Sequence, residues 1–150
     1  MSVEVLVDTN VLVYSFDVSE MRKRERATAT IAALVDSNRG AVSAQVLAEF
    51  FVTARRRFST VLDLGTAADQ VRRYAGMFAV YDTSYAVVEE ALRGVVRYGF
   101  SYYDAQIWAC ARLNRIPMIL SEDFSDGSTI EGVRFVNPFA DGFDPQVLLG

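Results

Sequence analysis

Short apolar runs alternate with longer stretches of helical periodicity, and this alternation limits the possible fold more than any other feature of the chain. Residues 4–7, Glu4-Val5-Leu6-Val7, end at Asp8-Thr9-Asn10, residue types that favour helix N-caps, and 11–16 then read as a short apolar helix. Ala27, Ile31, Leu34 and Val35 recur at helical spacing within about 20–36, which Gly40 ends. Ala41-Val42 is a brief strand, and Ser43 caps a helix over 44–57. Asp63 opens a helix to about residue 75 with Gly76 just past its end, and 77–81 is a third strand. A helix from Thr83 or Ser84 runs to about residue 98 and stops at Gly99, and Ser101 caps another over 102–114. Strands at 117–120 and 132–136 complete the series. Strands separated by helices predict an α/β fold, a buried and mostly parallel sheet with helices on both faces. In such sheets sites lie outside the carboxyl ends of strands, where Asp8 and Asp123 are expected.

Composition narrows the chemistry. The 150 residues, 51% hydrophobic and 23% charged, fit one domain spanning 1–150 rather than two cores or a disordered chain. Apolar runs such as 11–14 and 116–120 fall far short of the roughly 20 residues of a spanning helix. Met1-Ser2-Val3-Glu4 shows no basic segment leading into an apolar one, so no signal peptide is expected. Cys110 is the only cysteine, which excludes an internal disulfide and fits a reducing cytoplasm. There is no histidine, which removes histidine-based triads, histidine acid–base chemistry and histidine-ligated zinc. Lys23 is the only lysine, and no glycine-rich loop ends in Lys-Ser or Lys-Thr, so a P-loop enzyme is excluded. The net charge of −4 argues against a passive nucleic-acid-binding module. Positive charge nevertheless clusters at Arg22-Lys23-Arg24 with Arg26 and at Arg55-Arg56-Arg57, either as solvated helix faces or as local phosphate contacts.

Four acids stand where acids are costly. Asp8 follows an apolar strand and can be a helix cap, although Thr9 and Asn10 can cap in its place. Glu49 lies within Val46-Leu47-Ala48-Glu49-Phe50-Phe51-Val52, with no lysine or arginine three or four residues away. Asp104 is at a capping-box position after Ser101, suits the helix dipole, and opens a helix that reads as almost wholly buried. Asp123 lies in a turn with Asp126-Gly127 beyond, and Glu122 alternates away from it and is expected to face solvent. Each acid has a structural explanation. Together they can converge, and crowded carboxylates raise one another's pKa unless a divalent cation joins them. An all-oxygen site selects Mg²⁺ or Mn²⁺ over zinc or copper.

These residues resemble the PIN domain, and in overall form the VapC toxins of bacterial toxin–antitoxin pairs. The resemblance rests on Asp8-Thr9-Asn10 after a strand, Glu49 in an apolar helix, Tyr103-Asp104-Ala105 opening a buried helix, Ser121-Glu122-Asp123-Phe124 closing a strand, and the terminal Val136-Asn137-Pro138-Phe139. It implies a three-layer α/β/α sandwich and an endoribonuclease dependent on Mg²⁺, with Mn²⁺ as substitute. Asp8, Glu49, Asp104 and Asp123 become the metal-binding and catalytic set. Thr9, Asn10 and Ser121 become polar supports, Ser121 of Asp8 or of the water network. Asp126 matches an acid that only some members carry. The resemblance further implies a homodimer and a cognate antitoxin covering the site. Helices 20–36 and 44–57 are the expected dimer interface, and Arg55, Arg56 and Arg57 or the Arg22–Arg26 cluster are candidate contacts to RNA phosphates.

Three other readings compete. A haloacid-dehalogenase-like phosphotransferase also begins with a strand-end Asp, but needs an acid where Asn10 stands and a lysine that only Lys23 can supply. A PIN-like binding module without catalysis is opposed by the presence of all four acids. A PIN-domain RNA-processing nuclease outside a toxin–antitoxin system differs only in context, and a neighbouring antitoxin reading frame separates the two.

Overall fold

The computed structural model describes residues 3–149. Its strands are β1 (Val5–Val7), β2 (Gly40–Ser43), β3 (Ala79–Tyr81), β4 (Met118–Leu120), β5 (Thr129–Ile130) and β6 (Val133–Val136). Its helices are α1 (Thr9–Tyr14), α2 (Met21–Ser37), α3 (Ala44–Arg57), α4 (Leu64–Met77), α5 (Tyr85–Tyr98) and α6 (Tyr102–Leu113), with a 3₁₀ helix at Pro145–Leu148. The sheet runs β3-β2-β1-β4-β6-β5, parallel except where β5 pairs with β6. Helices flank it, giving the three-layer α/β/α sandwich that the sequence predicts.

Local chemistry explains why the helices start where they do. The side chains of Ser43, Asp63 and Ser84 accept the backbone N–H groups of Val46, Thr66 and Val87, each capping a first turn. Ser101 occupies the corresponding place before α6 but makes no such bond. Asn38, in the left-handed region at φ 57°, ends α2, and Gly40 opens β2 instead of closing the helix. A Cβ on Gly40 would lie 2.8 Å from the Phe78 ring, so that residue is set by packing. Gly76 lies inside α4 rather than beyond it. The short hairpin strand β5 and the 3₁₀ helix carry no sequence pattern strong enough to have been expected.

The core is continuous through β1, β2, β4 and their covering helices. All seven residues from Ala105 to Ala111 of α6 are buried, as the sequence indicates. Trp108 has no exposed surface; it packs edge-on to Tyr98 and donates from Nε1 to the Ile130 carbonyl at 3.2 Å. Gly94 of α5 lets that indole approach, since a Cβ there would stand 2.8 Å from it. This packing fixes α6, and with it the position of Asp104 in the first turn.

Candidate metal centre

β1 and β4 are adjacent and parallel, with Val7 opposite Leu120. From β1 the chain builds outward to β2 and β3 on one side, then returns to build β4 and β6 on the other. The crevice at the carboxyl ends of β1 and β4 is therefore the switch point of the sheet, the usual place for a site in such folds. Asp8 leaves β1 there, its N–H bonded to the Leu120 carbonyl at 3.0 Å. Ser121 and Asp123 leave β4, and Asp104 is presented by α6. One carboxylate oxygen from each of Asp8, Asp104 and Asp123 lies within 4.8 Å of the other two.

A small polar network holds this arrangement. Asp8, 4% exposed, accepts from the Thr9 N–H at 2.7 Å and from the Ser121 hydroxyl at 2.7 Å. The Asn10 amide reaches Ser121 Oγ at 3.1 Å and Asp123 Oδ2 at 3.2 Å, with a longer contact of 3.4 Å to Asp8 Oδ2. Ser121 Oγ also accepts the Asp123 N–H at 3.0 Å. Asp8 thus caps α1 and belongs to the acidic cluster at once. Burial pushes its carboxyl up to about 7, against the lowering effect of Ser121 and Thr9, and the charges of Asp123 and Asp104 add to the rise. Burial also raises Asp104, with a further contribution from Asp123.

Glu49 does not join the three clustered oxygens. It is half-buried, and Thr9 Oγ1 donates to it at 3.4 Å, so it connects to Asp8 through Thr9. Its other oxygen accepts from Gln45 Nε2 at 2.5 Å. Gln45 in turn reaches the Tyr103 carbonyl at 3.2 Å and accepts from Gln106 at 2.8 Å. The sequence shows no cation near Glu49, but its partner is an amide one helical turn earlier. Gln106, buried in an otherwise apolar helix, was the available signal for this chain of amides. A cleft of about 680 Å³ opens beside Glu49, Gln45 and Gln106.

Glu122 does not face open solvent. Tyr14 Oη donates to it at 2.7 Å and Lys23 Nζ at 3.0 Å, which takes up the only lysine. Asp126 turns to accept the Asn137 N–H at 2.8 Å and is not one of the clustered carboxylates. In the first basic run, Arg22 pairs with Asp141 and Arg26 bonds the Pro138 carbonyl. In the second, Arg55 bonds the Leu62 carbonyl, Arg56 is exposed, and Arg57 pairs with Asp17 at 2.6 Å. Asp17, buried without any local pattern to mark it, was not foreseen.

The three aspartates fit a hard divalent cation. All donors are oxygen, they come from three separate elements, and the most buried of them is destabilised as an anion by burial itself.

The sequence pattern of the PIN domain matches residues 5–125. With most of its length matched, the chain belongs to the PIN domain family. It is similar to a toxin–antitoxin complex from Klebsiella pneumoniae, with a TM-score of 0.63 and 23% identity over 90% of this chain and 98% of that one. VapC20 of Mycobacterium tuberculosis, a sarcin-ricin loop cleaving toxin, gives 0.62 and 21% over 85% and 98%. DNA-bound VapBC from Salmonella typhimurium gives 0.63 and 17% over 91% and 98%. At these identities the likeness is one of fold. No curated protein matches the sequence.

Proposed function

We propose that this chain is a metal-dependent endoribonuclease and the toxin of a type II toxin–antitoxin pair, acting in the cytoplasm. The observation that carries the reading is the convergence of Asp8, Asp104 and Asp123 at the switch point of the sheet. Membership of the PIN family and the fold shared with toxins support it. In this reading the three aspartates hold Mg²⁺, for which Mn²⁺ substitutes. Such an ion, when bound, neutralises a phosphodiester oxygen and acidifies water for in-line displacement.

The chain's own residues orient and exclude. Ser121 and the Thr9 N–H fix both oxygens of Asp8, and Asn10 ties Asp123 to the same serine. Glu49, linked to Asp8 through Thr9, orients the attacking water or takes its proton, a task that Asp104 can share. The substrate is single-stranded or looped RNA, whose splayed backbone can reach a recessed site. The antitoxin inhibits by setting an arginine among the carboxylates, because a guanidinium pairs two of them bidentately and displaces the cation. A complex in which the acidic pocket stays open contradicts that mode of inhibition.

The test is cleavage of single-stranded RNA by metal-stripped protein. Cutting is expected only after Mn²⁺ or Mg²⁺ is added and is abolished by EDTA. Cutting at full rate in excess EDTA overturns the reading.

A further inference from the structure

The basic run at 55–57 is not one surface. Arg55 is taken up by the Leu62 carbonyl, and Arg56 points to solvent. Arg57 lines a cleft of about 200 Å³ together with Thr9, Asn10, Thr53, Asp123 and Glu122, the last of which is paired with Lys23. Among the described residues it is the only lysine or arginine lining that cleft.

Its guanidinium is anchored. Arg57 Nη2 donates to Asp17 Oδ2 at 2.6 Å, and Asp17 is 2% exposed. The other oxygen of Asp17 accepts the Ser19 N–H at 3.0 Å and the Ser19 hydroxyl at 2.5 Å, so both oxygens of this carboxylate are held. The Phe58 ring lies 5.5 Å from the guanidinium carbon. A guanidinium has five N–H donors, and the ion pair with Asp17 uses one. The remaining donors make no protein hydrogen bond among the described residues, and Arg57 lines a cleft that also holds Asp123, one of the clustered acids. A chain of net charge −4 repels a polyanion in general, so RNA needs a placed donor beside the acids. The cleft is smaller than the roughly 300–1,000 Å³ of sites that engulf a whole small molecule. It has room for a phosphate group.

We propose that Arg57, held in place by Asp17, receives the backbone phosphate next to the one that is cut, and that this cleft is a phosphate subsite for single-stranded RNA. The proposal rests on the nuclease reading above. Because Asp17 offsets its charge, Arg57 acts through its fork of donors more than through net charge, and a lysine cannot replace it.

The experiment uses a fluorescein-labelled single-stranded oligoribonucleotide pool and a series in which one neutral methylphosphonate is walked along the chain. Cleavage kinetics are measured with Mn²⁺, and binding by anisotropy with Ca²⁺. Arg57→Ala and Arg57→Lys are compared with wild type and with Arg72→Ala, which removes an exposed charge elsewhere. Both Arg57 variants are expected to raise KM and weaken binding about tenfold, the ratio one charge-assisted hydrogen bond supplies, with kcat little changed. Arg57→Lys keeps an ion pair for Asp17 and is expected to melt near wild type, which separates loss of the subsite from loss of the fold. One methylphosphonate position beside the cut bond is expected to weaken wild type and leave both Arg57 variants unaffected. Variants as sensitive to that position as wild type, or binding no worse than Arg72→Ala, overturn the subsite. Wild type that binds the pool but never cuts it overturns the nuclease reading alone, and the binding comparison still decides the role of Arg57. Wild type that neither binds nor cuts overturns both.

Discussion

Asp8 both caps α1 and carries a buried carboxyl that costs stability when ionised. Its carboxyl is pushed from 3.8 to about 7 by burial and by neighbouring acids. As pH rises between those values the unfolded chain releases its proton while the folded chain keeps it, so the folded state binds more protons and stability falls with rising pH. Above about 7 both states are ionised and the cost is complete. In metal-free protein, Asp8→Asn is therefore expected to melt increasingly above wild type from pH 4 to 7, by a few kcal/mol at roughly 1.4 kcal/mol per unit, with the difference levelling off beyond. Thermal melts across that range check it, and a constant difference contradicts it. Asp104→Asn separates two roles. A helix-dipole residue alone would lose about 0.3–1 kcal/mol on neutralisation. A member of a repelling cluster is relieved, so the variant is expected to lose cleavage and Mn²⁺ binding while its melting temperature in EDTA stays level or rises. A variant that melts lower and still cuts RNA refutes this. Asp8 and Glu49 were conspicuous in the sequence because each breaks an apolar run, whereas Asp104 at a capping position and Asp123 in a turn drew notice through their place in the series of motifs. The ion pairs around them were not legible: Arg57 with Asp17, and Lys23 with Glu122, meet only through the fold, 40 and 99 residues apart.

Elements were more legible than contacts, because caps and periodicity are local. Ser43, Asp63 and Ser84 mark helix starts by a bond to a residue three positions on, and the structure makes each of those bonds. β5 escaped notice because two residues carry no periodicity, and its pairing depends on β6. The glycines show how packing overrides propensity within an element. A Cβ at Gly76 meets nothing within 4 Å, so Gly76→Ala is expected to stabilise α4 by about 0.5–1 kcal/mol. At Gly94 the same change drives a methyl into Trp108 and Phe100, and overpacking of about 1–3 kcal/mol exceeds the gain in helix propensity. Gly94→Ala is therefore expected to melt below wild type. Denaturant midpoints for the pair check both signs, and two upward shifts would show that backbone preference alone governs these helices.

At the scale of the whole molecule, exposed apolar residues mark surfaces whose role a test of assembly can decide. On α2, Ala27, Ala33 and Leu34 are buried in the core, Ile31 and Val35 are partly buried, and Met21 is exposed. Among the exposed apolar side chains are Val52 on α3 and one stripe of α5, Tyr85, Leu92 and Val96, the last 88% exposed. A homodimer using α3 and α5 is expected at micromolar concentration, and Val96→Glu is expected to sediment as a monomer with an unchanged melting temperature. A wild-type monomer contradicts the assembly. No described helix is long and apolar enough to cross a membrane. The parallel pairing of β1 with β4 also has a consequence in time. Ser121 is made 113 residues after the Asp8 it supports. At roughly 5–20 residues per second, translation leaves Asp8 without Ser121 and Asp123 for on the order of ten seconds. A nascent chain that stops short of Ser121 carries at most Asp8 and Asp104, so the three aspartates cannot come together until residue 123 has been made.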